Sequence, residues 1–156
     1  SLDEVVAAKI GYFALLMLVP ILAFHAAAAY LGYAVDLFAP GAVLVFLLTF
    51  VYLSAISASV MILTGFGTLG RFVNVAILFA ALTFSSLVYP VGFFSPVRRE
   101  IARAVPLHYS MIVARSVTLK DVDVGLFLDW IGWLVAVTLA TGLLLKLSIE
   151  RYKRRT

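Results

Sequence analysis

The sequence predicts an all-α fold: a polytopic transmembrane helix bundle with four spanning helices, an N-terminal amphipathic helix and an extracytoplasmic half-depth helical hairpin. Three observations carry that prediction. The 156 residues are 64% hydrophobic and only 13% charged, with a mean hydropathy of +1.12, too little charge to coat a soluble domain. Four apolar stretches are long enough, at about 1.5 Å per helical residue, to cross a hydrocarbon core of roughly 30 Å. Between the third and fourth lie two short segments, each opened by a proline (Pro96 and Pro106). They are too short to cross and too patterned for a plain connection. The prediction is a single membrane domain over residues 1–156.

The formal net charge of +4 concentrates in the tail, with Arg151, Lys153, Arg154 and Arg155. A basic tail beside an apolar span marks a cytosolic membrane edge, and nucleic acid is not an expected partner. The chain has no cysteine, which excludes disulfides, thiolate metal sites and cysteine nucleophiles. It opens on Ser1 without a signal peptide, so it reads as part of a longer protein.

Residues Ser1 to about Ile10 are expected to form the amphipathic helix. Ser1 and Glu4 make a capping-box pattern, while Leu2, Val5, Val6 and Lys9 share one face. That face suits a lipid interface or a cytosolic partner. The first span covers Tyr12 to Tyr33, with Pro20 as a kink point and His25 inside it. No carboxylate shares the helix face of His25, so it reads as hydrogen-bonded structure rather than a proton relay. Asp36, Pro40 and Gly41 mark a turn.

The second span covers Ala42 to Gly65. Its centre repeats small residues four apart, Ser54 with Ala58 and Ala55 with Ser59, and Ser57 lies between. Close helix packing explains such ridges, and a polar stripe along a pathway is the functional alternative. Gly65 to Phe72 has two outer glycines at nucleotide-loop spacing, but Arg71 and Phe72 stand where Lys and Ser/Thr are needed and no strand precedes them. A tight turn is the better reading. The third span covers Val73 to Phe94, with Pro90 near its outer end and Ala76, Ala80 and Phe84 four apart.

In the hairpin, Ser95 caps and Pro96 suits a first helical turn. Val97, Ile101, Ala104 and Val105 form an apolar face, with Arg98, Arg99, Glu100 and Arg103 turned to water or headgroups. Pro106 ends that helix and opens a second, through about Val117, before a polar turn from Thr118 to Asp123. The last span covers Val124 to Ser148. Trp130 and Trp133 anchor its outer end, and Gly132, Ala136 and Ala140 make a small-residue seam. Four crossings put both termini in the cytosol, with seven cations inside and five outside.

Taken together, these features resemble the C-terminal two-thirds of a permease of the ABC-2 type, the membrane subunit of an ABC exporter. The matching pattern is an apolar span ending near a proline, a Pro-led amphipathic helix, then Pro106-Leu107-His108-Tyr109 with Arg115 six residues on. A polar turn, one last span and a basic tail complete it. Ser1 to Lys9 match the position of that family's coupling helix. The family has six spans, so the chain is expected to lack two N-terminal ones, and Val105 stands where it often carries Asn.

The resemblance implies a multi-pass plasma-membrane permease that works by alternating access, with no catalytic residue and no metal of its own. Leu2, Val5, Val6 and Lys9 would face a cytosolic ABC ATPase subunit. Pro96, Pro106, Tyr109 and Arg115 would form the outer gate. Ser54, Ser57 and Ala58 would face a second permease protomer or the pathway. No cofactor is expected on this chain; ATP and Mg would sit on the ATPase. For Arg115, a lipid phosphate is as compatible as a substrate contact. A small four-span accessory or assembly protein is the alternative. A membrane-embedded enzyme is the least supported class, because the two histidines are far apart and the acidic residues cluster at span ends.

Overall fold

The computed structural model describes residues 1–85, 91–120 and 122–154, and every regular element among them is helical. The order is α1 (Leu2–Tyr30), α2 (Pro40–Leu63), α3 (Thr68–Phe84), α4 (Pro96–Ala104), α5 (Pro106–Lys120) and α6 (Leu128–Lys153). Short 3₁₀ turns at Val91–Phe93 and Val124–Phe127 introduce α4 and α6. Among the described residues three helices are long and apolar enough to cross a membrane: α1, α2 and the Val124–Lys153 helix. Their outward faces are apolar, as those of Leu15, Val19, Leu47 and Leu139 show.

The expected capping box opens α1. The Ser1 amine donates to Glu4 Oε2 at 2.8 Å, and Glu4 N–H donates to Ser1 Oγ at 3.4 Å. The residues expected as a separate amphipathic helix are instead the first turns of α1, which continues unbroken through Gly11 and Pro20. A single interior glycine costs only about 1 kcal/mol against alanine, and no other breaker stands between Lys9 and Tyr12.

Pro40 occupies the first turn of α2, where its missing N–H is no loss. After α2 the chain reverses between Thr64 and Gly67, with Gly65 and Phe66 both at left-handed φ (62° and 59°). The turn is shorter than expected: α3 already begins at Thr68, and Arg71 lies within it. Gly70 permits this, since a Cβ there would collide with Thr64 Oγ1.

The third expected span is described only as the 17 residues of α3. Ser86 to Pro90 lie outside the described residues, so the expected outer end at Tyr89 and Pro90 does too. Both Pro-led helices form where the sequence places them, with Ser95 Oγ accepting from Arg98 N–H. However, α5 runs on to Lys120, through the start of the expected polar turn, because Thr118 is buried and its hydroxyl donates back to Ala114 O at 2.6 Å. Asp123 then caps the last turn by accepting from Gly125 N–H at 3.0 Å.

Contacts fix the helix directions. Lys153 pairs with Asp3, and Tyr152 meets the ring of Phe66 at 5.9 Å, so both ends of the described chain share one pole with the α2–α3 turn. At the other pole Gly41 lies against Val124, and Asp36 N–H donates to Thr118 O at 3.2 Å. Hence α2 and α6 run parallel, α1 and α3 antiparallel to them, and α5 climbs back towards the start of α2. The core is Ala42, Val45 and Tyr52 of α2, Val113, Ala114 and Val117 of α5, and Ile131 and Leu134 of α6.

Candidate functional site: the polar seam between α2 and α5

The seam is built on the buried stripe of α2, namely Val45, Tyr52, Ala55, Ser59 and Ile62. These positions recur at three, four and seven residues, the spacing of one helix face. Ser59 hides its hydroxyl by donating to Ala55 O at 2.7 Å. Tyr52 has no such outlet: its side chain is buried, and its hydroxyl makes no well-aligned hydrogen bond but only a loose contact with the Ser110 hydroxyl. Ser110 in turn donates to Pro106 O at 3.4 Å.

Along its length α5 buries three polar residues, His108, Ser110 and Thr118, of which Ser110 lies beside Tyr52. Pro106 opens the helix, where its missing N–H is no loss. Burial, helped by the Arg103 guanidinium, holds the His108 imidazole below the ordinary histidine range. Tyr109 closes the junction between α4 and α5: its hydroxyl donates to Arg103 O at 2.8 Å and its ring meets Trp130 at 5.4 Å.

The sequence-nominated residues fall into separate places. Pro106 and Tyr109 belong to the seam, whereas Pro96 and Arg115 are exposed. Of the second-span group, Ser57 is exposed and its carbonyl accepts from Asn74 Nδ2 at 3.2 Å, while Ser54 and Ala58 are half-buried. The buried small residues are the other pair, Ala55 and Ser59. Leu2 and Val6 are half-buried and Val5 and Lys9 exposed, at the pole carrying the Asp3–Lys153 pair. The seam expected at Gly132, Ala136 and Ala140 faces outward. His25 sits edge-on to Phe38 at 5.1 Å, with its Nδ1 unpartnered. Among the described residues no three His, Cys, Asp or Glu side chains gather as a metal would require.

Sequence reasoning missed Tyr52 and Ser110. The available signal was the spacing of Val45, Tyr52, Ala55, Ser59 and Ile62, which is a better single stripe than the Ser54–Ala58 repeat. Fold and seam together define a helical membrane protein. No protein-family model, no curated protein and no solved structure matches the chain.

Proposed function

We propose that the chain is the membrane permease subunit of an ATP-driven ABC exporter, with both termini cytosolic and the α4–α5 hairpin as its outer gate. In this reading α3 is the fourth crossing, and a second protomer completes the translocation route. ATP and Mg are held by a separate ATPase, whose closure pushes the α1 start. The observation that carries the reading is the polarity of the bundle. The two chain ends meet through Asp3 and Lys153 at one pole, while towards the other α5 packs on α2 and α6 and α4 lies against α5 and α3. A gate moved from the opposite end needs that arrangement. It also needs two states with different contacts, and the Tyr52 hydroxyl, met only loosely by Ser110, is a group that a rearranged α5 would bond better.

The test is export and ATPase activity of the assembled complex carrying Val5→Asp or Val6→Asp. Retained ATP hydrolysis with lost export is the expected result; unchanged export refutes the reading. One observation favours the four-span accessory alternative. The coupling-like residues are the end of a long helix and not a separate surface helix. An accessory protein would leave the complex's ATPase activity unaltered when Val5 and Val6 are both changed.

A further inference from the structure

The helices of this bundle differ in height, and the short side carries arginine at both of its ends. Asn74 Nδ2 bonds to Ser57 O, so α3 climbs antiparallel to α2. Phe84 closes α3 ten residues beyond Asn74, which puts it level with Leu47, ten residues before Ser57. Phe94 stacks edge-on against Phe84 at 6.4 Å, tying the start of α4 to that level. The end of α4 is tied there as well. Arg103 O accepts from Tyr109, whose ring meets Trp130, and Trp130 lies six residues beyond the Val124 that touches Gly41.

α4 therefore crosses the bundle axis sideways, roughly 10 Å below the start of α2 at about 1.5 Å per residue. Arg71 occupies the fourth position of α3. From it to the level of α4 the rise is roughly 20 Å, against a hydrocarbon core of about 30 Å.

The orientation of α4 is equally specific. Ala102 is fully buried against the protein, while Val97 (71% exposed) and Ile101 (44%) look away from it. Arg99 is anchored, its Nε on Phe94 O at 3.0 Å and a terminal nitrogen on Gly92 O at 3.1 Å. Arg103 pairs with exposed Glu100 at 2.6 Å, and the Arg98 guanidinium has no partner among the described residues. A water-filled vestibule does not suit this surface, because Phe93, Val97 and Ile101 would all stand in water. An undisturbed bilayer does not suit it either, because arginines at this level would sit in hydrocarbon.

We infer that α4 is an interfacial helix whose Arg98 and Arg103 hold phospholipid phosphates about 10 Å closer to the bilayer centre than elsewhere around the bundle, thinning the membrane beside α3. Val97 and Ile101 rest on the acyl chains beneath. The inference needs the membrane bundle and not the export reading.

Because the chain has no cysteine, single spin labels at Val97→Cys, Ile101→Cys and Leu47→Cys test it in phosphatidylcholine bilayers. Collision with oxygen and with a water-soluble nickel complex gives the depth of each label. The Val97 and Ile101 labels should lie just beneath the phosphates and collide mainly with oxygen. Leu47, at the same height in the fold, should lie deeper. Adding Arg98→Gln and Arg103→Gln should drive the Val97 label deeper.

Equal depths at Val97 and Leu47, nickel collisions dominating at Val97, or indifference to the arginine changes would each overturn the inference. Wild-type protein gives an independent readout. Its thermal stability should be highest in short-chain phosphatidylcholine, and a maximum in long-chain lipid counts against the proposal.

Discussion

Tyr52 concentrates the tension in this molecule at one oxygen. A buried hydroxyl without a well-formed bond costs about 1–3 kcal/mol, and the buried Tyr52 hydroxyl has only a loose contact with Ser110. Removing only that oxygen should therefore help the resting fold. Tyr52→Phe is expected to raise stability by about 1 kcal/mol in thermal unfolding; a loss of that size would show that the hydroxyl has a partner. Gly41 poses the opposite problem. A Cβ there would meet Val124 Cβ and Cγ2 at 2.7 Å, and both atoms belong to a stiff branched side chain. Gly41→Ala should destabilise by about 1–3 kcal/mol through overpacking, read as a lower unfolding temperature with unchanged helix content.

Among the elements, α5 has a hold on the bundle that depends on protonation. The folded state keeps His108 neutral by lowering its affinity for protons below the ordinary value of 6.5. The released helix binds the proton more readily, so α5 docking is fully stable above that pH and weakens as pH falls below it. Amide exchange in α5, corrected for its intrinsic pH dependence, should accelerate relative to α2 on acidification, and His108→Gln should abolish the difference. The two Pro-led helices were legible because proline and a serine cap are local signals that tertiary packing rarely overrides. The merger of the amphipathic start with the first span was not legible. A helix continues unless something stops it, and a change of polarity along one face does not. The stripe on α2 was misassigned for a related reason. Small residues advertise close approach, but Tyr52 decided which face was covered, and the core it joins is completed by α5 and α6, far away in sequence.

At the scale of the whole molecule, the sequence showed the membrane class, the long apolar helices and the Ser95 cap of α4. It could not show that α2 and α6 run side by side in the same direction, since that pairing joins segments more than eighty residues apart. The same pole-to-pole order brings Asp3 and Lys153 together. Reversing one charge, as in Asp3→Lys, should loosen the α1 start, and adding Lys153→Asp should restore it. Protease susceptibility at the first turns of α1 measures both, and failure of the double reversal to rescue would show that the pair is incidental. Apart from that ion pair, α1 keeps its company near its far end, where Ala28 is buried and His25 meets Phe38. The stretch from Gly11 to Pro20 presents nearly every side chain outward. It is a bowstring tied at both tips, its middle left open to the surrounding bilayer. Stripping that lipid with detergent should release α1 before any other helix lets go, leaving the α2–α5–α6 trio intact behind it.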